Sequence, residues 1–120
     1  MLKTSNILWQ DAQHQVLFEI LDLIREPDTG GDVILRLRDY TENHFALEEL
    51  YMRRTHYPGL EEHVRAHDRF RSELEELLGD REPDALDREI ISTFLTEWLK
   101  RHVFGIDKQL EEFLEAGEQK

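Results

Sequence analysis

Across residues 34–55 the sequence puts polar, metal-ligating side chains where a helix carries its core. Ile34, Leu37, Thr41, His44, Glu48, Tyr51 and Thr55 follow one another at steps of three and four, the spacing of an inward-facing helical stripe. His44 and Glu48 therefore point the same way, into the interior. A carboxylate in an apolar interior is so costly that it neutralises itself unless another group or a cation faces it. The chain must fold so that partners for Glu48 arrive from other segments.

Three further segments carry helical stripes of this kind. The first predicted helix runs from about Leu8 to Arg25 and stops before Pro27-Asp28-Thr29-Gly30-Gly31, with Leu17, Leu21 and Ile24 on its stripe. His14 falls on that stripe, and by itself fits a satisfied core histidine as well as a ligand. Asp11 reads as the helix N-cap, or else as an acceptor orienting the His14 ring. The second helix begins near Asp32, read as its N-cap, and continues to about Arg54. Pro58-Gly59 marks a tight connection, and His56 falls in that exposed turn without a functional role. In the third segment Leu60, His63, His67, Phe70, Leu74 and Leu77 recur at steps of three and four before Gly79-Asp80-Arg81-Glu82-Pro83 ends it. His63 and His67 thus occupy adjacent turns of one seam, a spacing that presents two imidazoles to one ion. The fourth helix starts around Asp84 and shows Ile91, Phe94, Leu95, Trp98, Leu99 and His102. Residues 1–7 are a short N-terminal arm, and 111–120 form a polar, fraying tail.

Asp107 follows His102 by five residues, a separation of about 140° on a regular helix. Gly105 lies between them. A local widening or bend around Val103 to Ile106 is expected, so that both side chains face inward.

Four helices of similar length with short connections predict a single all-α domain over 1–120, an up-down-up-down four-helix bundle. In that arrangement His14 and His44 lie ~20 Å and ~18 Å from the first turn, and so stand at similar heights. Glu48 and His67 are nearly equidistant from the Pro58 turn. His63 and His102 lie ~24 Å and ~27 Å from the last connection. Five histidines and two carboxylates converge on one level, and burying them without compensation would unfold so small a domain.

Composition decides which compensation is available. The 120 residues include no Cys, which removes disulfides, thiolate catalysis and cysteine-held metals, so any metal is held by nitrogen and oxygen. A formal net charge of −12 opposes nucleic acid and anionic lipid as partners. No long apolar run suggests a signal or membrane span, so a soluble cytoplasmic protein is expected. Seven ligands are too many for one tetrahedral zinc, and five imidazoles are too nitrogen-rich for calcium or magnesium. Two first-row metals fit better. The Glu-x-x-His pairs of carboxylate-rich di-iron bundles are missing.

At Asp11-Ala12-Gln13-His14, His44-Phe45-Ala46-Leu47-Glu48-Glu49, His63-Val64-Arg65-Ala66-His67, and Trp98-Leu99-Lys100-Arg101-His102 with Asp107, the chain resembles the hemerythrins, specifically the bacterial hemerythrin-like domains. The resemblance implies two iron ions joined by a bridging oxo or hydroxo group. It implies one iron held by His63, His67 and His102, the other by His14 and His44, with Glu48 and Asp107 bridging and an open position at the second iron. It further implies a non-enzymatic protein for O2 storage, delivery or sensing that binds O2 reversibly as a peroxide at one iron. The alternative is a di-iron enzyme that decomposes peroxide or reduces O2 or NO. Phe18, Phe45, Met52, Trp98 and Leu99 are candidates for an apolar O2 pocket, with Leu99 matching the family's pocket leucine. Plain core packing is the simpler reading of Phe18, Phe45 and Met52. Bacterial relatives commonly place about ten residues between an N-terminal tryptophan and the Asp-x-x-His motif, whereas Trp9 is two residues from Asp11. The short arm puts shielding of one side in question, and leaves a monomer or a weak homo-oligomer as the expected state.

Overall fold

A computed structural model describes residues 3–26, 32–79 and 87–117. Helix α1 spans Leu8–Arg25, α2 Asp32–Arg54, α3 Leu60–Leu78, α4 Arg88–Arg101, and α5 Asp107–Ala116, with a single π-helical turn at His102–Ile106 joining the last two. These make four rods, the fourth being α4, the π turn and α5 together. No strand occurs among the described residues.

Neighbouring rods run antiparallel, as the cross-rod pairs show. Gln10 meets Glu48 and Gln13 meets His44 between α1 and α2. Glu42 meets Arg71 and Glu49 meets His67 between α2 and α3. His67 meets His102 while Phe70 packs on Trp98 and Phe94 between α3 and α4. Arg25 meets Thr96 and His14 meets Asp107, which closes the bundle between the first and last rods. The topology is up-down-up-down, and short connections enforce it.

Two apolar clusters sit at opposite ends of the interior. The larger contains Leu17, Leu21, Ile24, Ile34, Leu37, Phe70, Leu74, Leu95 and Leu99, among others. The smaller is built from Ile7, Met52, Tyr57, Leu110 and Leu114. The polar residues of the site lie between them along the rods. In the α2–α3 connection His56 is exposed with φ +54°, a left-handed conformation that histidine tolerates better than bulkier or β-branched residues. The following Tyr57 tucks inward, and a Cβ on Gly59 would approach its ring to 2.9 Å, so any larger residue there requires the ring to shift.

Several boundaries differ from the sequence reading. Asp11 does not cap α1, because the cap position is Ile7 and Asp11 already lies inside the first turn. The expected start of the fourth helix at Asp84 lies outside the described residues. Within them, Asp87 caps α4 by accepting the Ile90 N–H at 3.1 Å. The α2 stripe fades at Tyr51 and Thr55, which are half-buried, and shifts to Phe45 and Met52, which are buried. In α3, Leu78 takes the core position expected of Leu77.

The largest correction concerns the expected polar tail. Residues 107–116 continue as α5, with Leu110 and Leu114 fully buried and Glu111 nearly so. The extra residue in the π turn re-phases the rod. Asp107, Leu110 and Leu114 then share one inward face at steps of three and four, and the two leucines meet Ile7 and Met52.

Candidate metal centre

The site is assembled from all four rods, and each contributes through a local reason. His14 comes from α1, His44 and Glu48 from successive turns of α2, and His63 and His67 from successive turns of α3. His102 and Asp107 flank the π turn, whose hydrogen bond runs from the Asp107 N–H to the His102 carbonyl five residues earlier. That wider ring turns both side chains inward, leaving them 3% and 1% exposed. The widening expected from the five-residue spacing is present over the residues predicted for it. All seven candidate ligands are buried.

Asp107 faces both halves of the site with separate oxygens. Its Oδ1 lies 2.8 Å from His102 Nε2 and 3.0 Å from His63 Nε2. Its Oδ2 lies 2.9 Å from His14 Nε2 and 3.7 Å from His44 Nε2. Glu48 uses one oxygen for both halves: Oε1 lies 3.2 Å from His67, 3.4 Å from His44 and His63, and 4.0 Å from His102. Two overlapping ligand groups result. One comprises Glu48, His63, His67, His102 and Asp107, the other His14, His44, Glu48 and Asp107, each with its ligand atoms within 4.8 Å of one another. Only the two carboxylates belong to both.

Charge is concentrated strongly enough to move the titrations. Burial alone would raise the Glu48 pKa, and Asp107 adds to that. The surrounding imidazoles outweigh both and bring it to about 2. Asp107 is likewise penalised by burial, yet His102, His14 and His44 hold it well below the usual carboxylate range. Burial pushes His63 down, but Asp107 and Glu48 reverse this and lift it to about 9. His67 is lowered, mainly because burial disfavours its charged form.

The outer atoms of three imidazoles are already spoken for. His44 Nδ1 lies 2.6 Å from Gln13 Oε1, and His67 Nδ1 lies 2.9 Å from Glu49 Oε2. Thr4 donates from its N–H and its hydroxyl to Asp11 Oδ1, at 2.7 and 2.9 Å. The Thr4 oxygen is then free to accept from His14 Nδ1 at 3.0 Å. Asp11 thus acts on His14 through Thr4, so the acceptor reading holds indirectly. With acceptors outside, Nδ1 carries the proton and Nε2 turns a lone pair inward.

Inward, the Nε2 atoms of the site meet carboxylate oxygens. His44, His63, His67 and His102 Nε2, Glu48 Oε1 and Asp107 Oδ1 are all buried without a hydrogen-bond partner. Native interiors leave very few such atoms, and here they face one another across a few ångströms. Cations between them satisfy every one. The donor set of five imidazoles and two shared carboxylates fits two first-row metal ions.

The surroundings of the two ligand groups differ. Phe45 stacks on His67 with ring centroids 3.7 Å apart, and Trp98 stacks on His102 at 4.4 Å. Trp98 packs on the three-histidine group alone, whereas Phe45 stacks on His67 and also meets the His44 ring at 6.3 Å, on the side where the resemblance locates the open position. Leu99 is buried in the larger apolar cluster together with Phe45. A surface cleft of about 280 Å³, lined by residues including Arg69, Trp98, Arg101 and Ile106, reaches His102.

Sequence reasoning missed the residues that steady the ligands. Gln10 had a signal, because Gln10, His14, Leu17 and Leu21 step by four, three and four along the same stripe. Thr4 and Ser5 had none, since they precede the helix and no periodicity reaches them. They are nevertheless buried against α1, and Asn6 donates its N–H to Glu111 at 2.7 Å. The described part of the short arm thus packs closely beside the site.

Fold and site together define a four-helix-bundle protein built to hold two neighbouring cations with histidine and carboxylate ligands. The family model described as the hemerythrin HHE cation binding domain matches residues 6–114, and the chain belongs to the hemerythrin family. It is 32% identical over 97 residues to a myohemerythrin of Riftia pachyptila, covering 81% of this chain and 76% of that protein. A bacteriohemerythrin of Stenotrophomonas maltophilia is 33% identical over 106 residues, with 82% and 68% covered. One from Clostridium acetobutylicum is 29% identical over 112 residues, with 82% and 86% covered. No solved structure matches the chain significantly.

Proposed function

We propose that this chain is a non-heme di-iron protein that binds O2 reversibly and acts as a carrier, store or sensor, with no turnover of its own. The single observation that carries this reading is the pair of overlapping ligand groups joined only through Glu48 and Asp107. One group offers three histidines and the other two, so an iron held by the second group would have fewer protein ligands and could take a small molecule. Bound there, a ferrous pair supplies the two electrons that dioxygen takes up and returns.

The chain's own residues set the conditions. Glu48 and Asp107 remain ionised and balance cationic charge in the interior. Thr4, Gln13 and Glu49 fix three rings so that Nε2 faces inward. Leu99, with the rest of the larger apolar cluster, keeps water and its protons from one side of the site. His14, His44, Glu48, His63, His67, His102 and Asp107 are the proposed iron ligands. No described helix is long and apolar enough to cross a membrane. A cytoplasmic location is part of the proposal.

The test is anaerobic reconstitution with ferrous iron followed by stopped-flow mixing with O2. A carrier gives an optical change that argon reverses over repeated cycles. Rapid, irreversible conversion to the ferric state contradicts the proposal. Leu99→Ala is expected to hasten loss of the reversible form, and an unchanged decay rate removes Leu99 from the barrier. The cleft reaching His102 favours a second reading, an enzyme acting on peroxide or NO, which sustained oxygen evolution from added peroxide or NO consumption would support.

A further inference from the structure

We propose that Arg71 is a positioning residue that acts on His67 through Glu49: it offsets the charge of that carboxylate and so sets the ferric/ferrous balance of the iron pair. The inference rests on the two-cation reading of the site and adds a residue outside the ligand set.

The outer partners of the histidines are not alike. His14 and His44 meet the Thr4 hydroxyl and the Gln13 amide, both uncharged, and His63 and His102 have no hydrogen-bond partner at Nδ1. His67 differs, because its Nδ1 lies 2.9 Å from Oε2 of Glu49, a carboxylate whose side chain is 13% exposed. Arg71 stands against that charge, with Nη2 3.5 Å from the same Oε2. Two other carboxylates fix the guanidinium in place. Its Nε donates to Glu42 Oε1 and Oε2 at 3.0 and 2.8 Å, and its Nη1 donates to Asp68 Oδ1 at 2.7 Å. The guanidinium carbon also lies 5.2 Å from the centroid of the Phe45 ring, which stacks on His67. One side chain thus meets two neighbours of His67, the carboxylate at its edge and the ring on its face.

Helix spacing makes this reach possible. Arg71 lies one turn after His67 on α3, and Glu42 and Glu49 lie two turns apart on α2, so one guanidinium spans an exposed carboxylate and an interior one. The Glu42 and Asp68 side chains are 47% and 63% exposed, so water screens both pairs and their part is to anchor the fork. Glu49 is screened far less. Arg53 approaches its other oxygen, Oε1, at 3.8 Å but is itself 60% exposed, which leaves Arg71 as the close counter-charge on the oxygen that His67 uses. A guanidinium does not deprotonate in a protein, so the offset is permanent. A carboxylate behind an imidazole makes it a stronger donor to a metal, and a stronger donor favours ferric over ferrous iron. Arg71 holds that effect in check.

The experiment uses the full chain in two forms. Loaded with diamagnetic zinc, it lets the His67 Nδ1–H resonance be followed by NMR; loaded with iron, it yields the ferric/ferrous balance by redox titration. Metal analysis comes first, and fewer than two ions per chain would overturn the two-cation reading separately from Arg71. Arg71→Met should move the His67 resonance downfield as its bond to Glu49 strengthens. It should also shift the balance roughly threefold toward ferric, less than the tenfold scale of deleting an outer partner outright. Glu49→Gln, which removes the charge itself, should move both readouts the opposite way. Arg71→Lys keeps a cation and should fall between wild type and Arg71→Met; a Lys variant indistinguishable from Arg71→Met would deny the charge its role. A merely structural Arg71 would lower the melting temperature and leave both readouts in place. Either readout unchanged in Arg71→Met, or moved in the direction of Glu49→Gln, overturns the proposal. If Arg71→Met loses its helical circular dichroism, Arg71→Gln decides by the same two readouts.

Discussion

The two halves of the metal centre are held by different physics. In the three-histidine half Phe45 lies flat on His67, Trp98 lies flat on His102 and Phe70 sits behind Trp98 at 4.3 Å, while His67 Nδ1 alone of the three has a polar partner, Glu49. His63 and His102 have no hydrogen-bond partner at Nδ1. His14 and His44 instead hang from polar partners, Thr4 and Gln13, one of them outside any helix. Stacking orients a ring plane and excludes water but leaves the ring's protonation open. A hydrogen bond at Nδ1 fixes the tautomer as well. The three-histidine half is therefore tied to the stability of the bundle core, whereas the two-histidine half is tied to the arm and to α1.

Removing what the halves share should have the largest effect. Asp107→Asn keeps the shape but removes a charge that both groups use, and atomic absorption is expected to fall from two metals per chain to one or none. Retention of two would show that Asp107 is not shared. The next test sets the halves against each other. Trp98→Ala, which removes a half-buried ring, should lower the stability of the metal-free protein by about 2 kcal/mol, somewhat less than emptying a fully buried aromatic site. Gln13→Leu should cost under about 1 kcal/mol in the same urea titration. It should nonetheless release metal roughly tenfold faster. Equal losses of stability from both variants would erase the distinction.

The smallest expected effect is on pH dependence. His63 is raised from 6.5 to about 9 in the metal-free protein. Its contribution is thus complete below pH 6.5 and lost as pH rises through 9. Glu48, lowered from 4.5 to about 2, contributes fully above pH 4.5 and loses that contribution only as pH falls through 2. Metal replaces the proton on His63 Nε2, so the loaded protein escapes the alkaline loss. The melting-temperature difference between zinc-loaded and chelated protein should widen from pH 6.5 to 9, and a constant difference would remove His63 from the account.

Much of this was legible before the fold was known, for an identifiable reason. Ligands on helices obey the same three-and-four spacing as core residues, so His14, His44, Glu48, His63 and His67 could be placed by periodicity alone. The five-residue step from His102 to Asp107 broke that spacing, and the break itself predicted the wide turn. Apart from Gln10, which lies on the α1 stripe, what escaped was what periodicity does not reach. Thr4 and Ser5 act from an extended arm, and the burial of Leu110 and Leu114 depends on the phase that the wide turn resets. Phe45 and Trp98 were legible as apolar neighbours of the site, but their stacking on His67 and His102 depends on how α2, α3 and α4 cross.

The central claim is that five imidazoles and two shared carboxylates hold a pair of cations. Elemental analysis of the purified chain after anaerobic loading with ferrous iron and removal of free metal tests this most directly. The account predicts two irons per chain, and a stable ratio of one would contradict it.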